Sequence, residues 1–221
     1  MTDNDADFIE FCIRSGVLRF GDFVLKSGRQ SPYFFNAGLF SSGAALNRLS
    51  EYYARALKRH MGDAPYMLFG PAYKGIPLVT AVAMAMDRLY GRDLAIAFNR
   101  KEVKDHGEGG NVIGATLSGD VVIVDDVITA GTSVGESVAI IRAAGARPAA
   151  VLIALDREEI VEGTGGRSAV EAVADSYGMP VYAIARLGTL VDHLAAGGGD
   201  PDLLARVRRY REQYGTAAHA S

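Results

Sequence analysis

The sequence predicts an α/β protein built on a central, mostly parallel sheet flanked by helices. From Tyr66 onward, short apolar runs (YMLFG, LAIAFN, VVIVDD, AAVLIAL and PVYAI) alternate with helix-like stretches at Ile76–Leu89, Ser133–Ala144 and Ser168–Tyr177. The runs lack polar alternation, so both faces of each strand are expected to be covered, and the intervening helices supply the cover. With 221 residues and 49% hydrophobic content, the chain can bury one substantial core with an appended lobe.

The elements follow in order. Phe8, Ile9, Phe11, Cys12 and Ile13 are spaced for a short helix over Asp7–Ser15, ending at Gly16. FGDFVL and SPYFFNAG, rich in aromatic and β-branched residues, flank the turn-like KSGRQ and read as a hairpin. Leu46, Leu49, Tyr53 and Leu57 recur at helical intervals opposite Arg48, Glu51, Arg55 and Lys58, which predicts an amphipathic helix packed on a core. Two connections stand out beyond the alternating region. Arg100–Gly114 is a long, polar, glycine-bearing loop and a candidate lid, and Gly197–Pro201 breaks the chain before a last, polar helix over Pro201–Tyr214 that is expected at the periphery. Small and polar residues at Thr216–Ser221 suggest a frayed tail.

Composition excludes several function classes. Lys and Arg number 23 against 26 acids, a formal net charge of -3, so there is no global electrostatic footprint for nucleic acid or an acidic membrane, and any anion site must be local. One cysteine, Cys12, rules out an internal disulfide framework and points to a reducing compartment. The acidic start MTDNDADF is unlike an export signal, and the apolar runs fall short of the ~20 residues of a membrane span. A cytoplasmic protein is expected.

Sites in parallel sheets lie at the carboxyl ends of strands. In VVIVDDVITAGTS (Val121–Ser133), four apolar residues form a buried strand, Asp125 and Asp126 stand at its carboxyl end, and a turn of small residues leads into a helix bearing Val134, Val138 and Ile141. Such a turn lets successive backbone N–H groups converge on a phosphate in front of a helix N-terminus, with hydroxyls from Thr129, Thr132 and Ser133 to assist. The carboxylates would repel a phosphate but accept hydrogen bonds from sugar hydroxyls, so a phosphorylated sugar satisfies both halves. Paired acids also hold Mg²⁺ in receiver domains or cap helices, but the TAGTS turn serves neither purpose, and the Gly-Lys-Ser/Thr ending of a Walker loop is absent.

Other segments are ambiguous when taken singly. GPAYKG reads as an ordinary strand-to-helix turn, Lys26 as a solvated turn lysine, and Phe34 and Phe35 as core aromatics. Arg157 reads as a surface ion pair with Glu158 or Glu159, and the mixed charges of the lid as a solvated loop.

Taken together, they resemble a known family. VVIVDDVITAGTS is similar to the phosphoribosyl pyrophosphate signature of type I phosphoribosyltransferases, and Lys26 with SPYFFNAG, GPAYKGIPL and NRKEVKDHGEGG resemble the orotate phosphoribosyltransferases over nearly the whole chain. The resemblance implies the type I phosphoribosyltransferase fold in one domain. N-terminal hood elements at about 1–42, largely the first helix and hairpin, would sit on an α/β core at 43–200, with a C-terminal helix and tail at 201–221. It also implies Mg²⁺ as cofactor, held mainly by substrate oxygens and water with no direct protein ligand, and phosphoribosyl pyrophosphate and orotate as substrates.

Residue roles follow from the resemblance. Asp125 and Asp126 would bind the ribose hydroxyls near the developing cation. Val127, Ile128, Thr129, Ala130, Gly131, Thr132 and Ser133 would surround the 5′-phosphate, with Thr129 also near orotate. Tyr73 and Lys74 would face pyrophosphate, as would Arg100, Lys101, Lys104 and His106 from a lid donated partly by the neighbouring subunit of a homodimer. Lys104 would stabilise the leaving group. Lys26 would reach both substrates, with Phe34 and Phe35 opposite it on the return strand lining the orotate site, and Arg157 would grip the orotate carboxylate. A phosphoribosyltransferase for another base, which needs no such arginine, and a non-catalytic phosphoribosyl pyrophosphate sensor that binds nucleic acid through a basic surface are the alternatives.

Overall fold

The computed structural model describes residues 3–25, 27–104, 110–197 and 200–216. The first helix, α1 (Asp3–Arg14), buries Phe8, Ile9, Phe11 and Cys12 and ends at Gly16, whose φ of 67° suits glycine. It begins at Asp3 instead of Asp7, because apolar periodicity starting at Phe8 cannot register a polar first turn. The hairpin follows as β1 (Leu18–Val24) and β2 (Gln30–Phe35), an antiparallel pair forming a sheet of its own. After a 3-10 turn at Ala37–Leu39, Ser42 caps α2 (Gly43–Met61) by accepting from the Ala45 amide at 3.2 Å.

The main sheet has the order β5-β4-β3-β6-β7-β8, parallel except for the edge strand β5. Its strands are β3 (Met67–Gly70), β4 (Ile96–Lys104), β5 (Gly110–Gly114), β6 (Asp120–Val124), β7 (Arg147–Asp156) and β8 (Val181–Arg186). Helices α3 (Gly75–Tyr90), α4 (Thr132–Ala143), α5 (Ala169–Tyr177), α6 (Leu187–Ala196) and α7 (Pro201–Tyr214) complete the chain. Alternate strand residues feed two cores. Leu68, Val122, Val124, Leu152 and Ala154 face the hood, α2 and α3, whereas Phe69, Val121, Ile123, Val151 and Ile153 face α4 and α5. Among the described residues no helix is long and apolar enough to cross a membrane.

Three expectations are corrected, and one helix was not anticipated. The lid was expected as loop from Arg100 to Gly114, yet β4 extends to Lys104 and β5 returns antiparallel, pairing Asn99 with Val112. An edge hairpin tolerates mixed charge, so its composition hid its period. Helix α6, which the sequence reading does not anticipate, follows β8 without a breaker between them. Helix α7 is not peripheral, since it buries Val207 and Tyr210 and sets Tyr210 edge-on to Tyr33 of the hood, ring centroids 5.9 Å apart. Thr216, expected in the frayed tail, is buried and its amide donates to the Glu158 carbonyl at 3.0 Å.

Candidate active site

Strands β3 and β6 are neighbours whose following crossovers run to opposite sides, β3 to β4 and β6 to β7, so a crevice opens where their carboxyl ends meet. On the β3 side, Gly70 and Gly75 press together. A Cβ on Gly70 would lie 2.3 Å from the Gly75 carbonyl oxygen, so the turn closes only with glycine there. Asn99, buried on β4, accepts from the Ala72 amide at 2.7 Å and fastens this turn to the neighbouring strand. The Ala72–Tyr73 peptide bond is cis.

On the β6 side, Asp125 and Asp126 are each 8% exposed. Asp125 accepts from the Asp126 amide at 2.9 Å and from the Ser133 hydroxyl at 3.1 Å. Asp126 accepts from the Val127 amide at 2.9 Å and from the Lys74 ammonium at 2.8 Å. Burial, and then the Asp126 carboxylate beside it, hold Asp125 well above the usual carboxylate range. Neither acid caps α4. Gly131, with φ 75°, occupies that position without a side-chain bond, leaving the helix N-terminus facing the turn. A Cβ on Gly131 would also meet Val173 at 2.9 Å. The resulting cavity of about 290 Å³ is lined by Ala72, Lys101, Asp125 and most of the stretch from Val127 to Val134, with Glu136.

The structure thus gathers Asp125, Val127, Ile128, Thr129, Gly131, Thr132, Ser133 and Lys101 around one cavity, with Asp126 and Lys74 ion-paired beside it. Ala130 lies in the same turn, exposed and facing a second hollow with α5. Lys101 reaches Glu136 on α4 at 3.0 Å across the cavity wall. Arg100 is half-buried on β4. Tyr73 is not brought in, since its side chain is 71% exposed. Phe34 and Phe35 do not lie opposite the hairpin turn. They pair with Arg19 and Leu18 at its far end, because the register Val24–Gln30 places the turn five residues away, and Phe34 stacks on Phe23 at 5.5 Å. Lys26, the side chain of Lys104, and His106 lie outside the described residues.

Arg157 follows β7 directly, two strands from β3. It is ion-paired with Glu159 at 2.5 Å as its sequence neighbours allowed, but the pair is no surface bridge, since the side chains are 18% and 13% exposed. Its guanidinium lies 5.4 Å from the Tyr33 ring centroid. Burial works against its charge, yet Tyr33 and Glu159 more than offset this and raise it above the ordinary range.

Sequence reasoning missed Asn99 and the second role of Tyr53. Tyr53 was read only as a core residue of α2, but its hydroxyl donates to the Asp125 carbonyl at 2.8 Å, anchoring the acid pair from behind. The available signal was chemical, because a tyrosine buried in a core position needs a partner for its hydroxyl.

Comparison with known proteins agrees with this geometry. Residues 42–162 match the phosphoribosyl transferase domain. The chain is similar to the orotate phosphoribosyltransferase of Methylococcus capsulatus, 62% identical over 98% of this chain and 100% of the relative. That of Thioalkalivibrio sulfidiphilus is 56% identical over 97% and 100%. The crystal structure of orotate phosphoribosyltransferase from Francisella tularensis superposes with a TM-score of 0.85 at 39% identity, covering 95% of this chain and 100% of that one.

Proposed function

The chain belongs to the orotate phosphoribosyltransferases, within the phosphoribosyltransferase family, and from that premise we propose how its residues divide the reaction. The enzyme transfers ribose 5-phosphate from phosphoribosyl pyrophosphate to N1 of orotate, giving orotidine 5′-phosphate and pyrophosphate in pyrimidine biosynthesis. The observation that carries the division of roles is the pairing of two buried carboxylates with an uncapped helix N-terminus eight residues or fewer away along one turn.

Asp125 and Asp126 accept hydrogen bonds from the ribose hydroxyls, and the amides and hydroxyls from Val127 to Ser133 hold the 5′-phosphate. As the bond from the anomeric carbon to pyrophosphate breaks, positive charge grows on the ribose next to the acid pair, and negative charge grows on the leaving group. Lys74, Arg100, Lys101, Lys104 and His106 supply cations on that side, so positioning and electrostatics carry the catalysis without a protein nucleophile. Lid closure over the crevice excludes water that would otherwise capture the ribosyl cation. Tyr73 reaches pyrophosphate only if its exposed side chain turns inward.

The donor set suits magnesium brought in with the substrate. Each carboxylate oxygen of Asp125 and Asp126 accepts one protein donor, which leaves acceptor capacity for a ribose hydroxyl or a magnesium-bound water. Mg²⁺ held by donor oxygens and water would neutralise charge developing on pyrophosphate, with the acid pair meeting its water shell. We further propose a homodimer whose lids are shared. Tyr73, Pro77 and Met84 stay exposed along one stripe at the start and outer face of α3, an apolar surface suited to a second copy. A cytoplasmic setting agrees with the single free thiol, the buried Cys12.

Arg157 takes the orotate carboxylate, with Lys26, Phe34, Phe35 and Thr129 completing that subsite. The test is base-dependent release of pyrophosphate with orotate, adenine, hypoxanthine or uracil offered beside the same donor. Release with orotate alone is expected, and equal release with a base lacking a carboxylate would remove Arg157 from acceptor recognition.

A further inference from the structure

The turn that carries Arg157 is fastened from several sides. Glu158, with φ 52° in the left-handed region that non-glycine residues avoid, is held there by three bonds. Its amide donates to the Asp156 carboxylate at 2.9 Å, its own carboxylate accepts from the Gly188 amide at 2.9 Å, and its carbonyl accepts from the Thr216 amide. Glu159 pairs with Gly215 in an isolated antiparallel bridge, and the Ile160 amide donates to the Tyr214 carbonyl at 2.8 Å. A turn constrained on both sides of one residue fixes the direction of the side chains on either side of it.

The next side chain, Glu159, gathers three partners from three places in the sequence. Its Oε1 accepts from Arg157 Nη2 at 2.5 Å and from the Tyr33 hydroxyl at 3.3 Å, and its Oε2 faces Arg29 Nη1 at 3.5 Å. Arg29 is itself pinned, donating to the Ile160 carbonyl at 2.7 Å and lying 4.8 Å from the Tyr214 ring centroid. Two guanidiniums therefore converge on one shielded carboxylate, and they would repel each other without it. Arg157 Nε remains buried with no hydrogen-bond partner among the described residues. A buried donor of this kind is costly unless something completes it.

We propose that Glu159 is the positioning residue of the acceptor subsite, holding the Arg157 guanidinium through Nη2 and so setting the direction in which its remaining donors face the carboxylate of orotate. Through Tyr33 and Arg29 the same carboxylate ties the hood hairpin to the end of β7, so the two halves of the subsite are set at a fixed separation. The inference rests on the reading of Arg157 as the orotate anchor.

Steady-state kinetics on Glu159→Gln, Glu159→Asp, Tyr33→Phe, Arg157→Ala and the Glu159→Gln/Arg157→Ala double variant tests it, with melting temperatures measured alongside. Glu159→Gln is expected to raise KM for orotate about tenfold while KM for the donor and kcat stay within about twofold. Glu159→Asp and Tyr33→Phe should give smaller rises in the same constant, and the double variant should be no worse than Arg157→Ala alone. If Arg157→Ala raises the orotate KM but Glu159→Gln leaves it unchanged or lowers it, Glu159 does not position Arg157 and the inference fails while the reading of Arg157 stands. A parallel rise in both KM values with a lowered melting temperature would show a role in folding only and also overturn it. An unchanged orotate KM in Arg157→Ala would remove the anchor reading and this inference with it.

Discussion

Asp126→Asn is expected to lower kcat/KM for the phosphoribosyl donor by about 10²–10³, from loss of charge-assisted bonds worth roughly 1.5–3 kcal/mol each. The carboxylate does two things that the amide cannot. It accepts from Lys74 and from the Val127 amide at once, and in the proposed division of roles its charge faces the ribose as cationic character develops there. The same variant makes a statement about pH. Asp125 is held above its ordinary range first by burial and then by the Asp126 charge, so its protonated form persists into conditions where a free aspartate would be ionised. Because the ionised form accepts the sugar hydroxyls, kcat/KM for the donor should fall as pH drops through the raised value. Removing the Asp126 charge lowers that value, so the acid limb of the Asp126→Asn profile should move to lower pH. The linked effect on stability has the opposite sense. A raised carboxyl contributes stability that is present below the ordinary aspartate value and lost as pH rises through the folded one. An acid limb that stays in place in Asp126→Asn would mean that the group seen in the profile is not Asp125.

Lys104→Ala is expected to lower turnover by roughly 10²–10³, comparable with loss of one donor to a developing oxyanion. Lys104 ends β4, pairing with Gly110 across the lid hairpin, and its ammonium is the cation assigned to the departing pyrophosphate. Binding of the donor in its ground state should change much less than turnover, since the charge stabilised grows only as the bond breaks. Single-turnover measurements separate the two, and near-normal turnover in a folded Lys104→Ala protein would take this residue out of the mechanism. The proposed sharing of lids makes a second outcome expected. When inactive Lys104→Ala and Asp126→Asn chains are mixed and allowed to exchange, half of the dimers are hybrids with one intact site each, so about a quarter of wild-type activity should return. If each chain closes its own lid, no activity returns.

The parallel sheet was legible because five apolar runs without polar alternation can be buried only between layers of helices, and all five appear as strands β3, β4, β6, β7 and β8. The turn from Asp125 to Ser133 was legible as a structural unit because its parts are consecutive in the chain. What was hidden depends on partners far apart in sequence. Asn99 meets Ala72 across 27 positions, Tyr53 meets Asp125 across 72, and Tyr33 meets Glu159 across 126. No local pattern marks such pairs. The misplacement of Phe34 and Phe35 has a similar origin, since a one-dimensional reading of the hairpin fixed its existence but not its register, and register decides which residues lie near the turn. Helix α7 looked peripheral by polarity, although Val207 and Tyr210 suffice to seat it against the hood.

Calorimetric titration of the folded protein with phosphoribosyl pyrophosphate in the presence of Mg²⁺ bears most directly on the assignment of the Asp125–Ser133 turn. Saturable binding at about one site per chain is expected, strongly weakened in Asp126→Asn. An absence of binding to the wild-type protein under these conditions would contradict the assignment, whichever acceptor base were supplied afterwards.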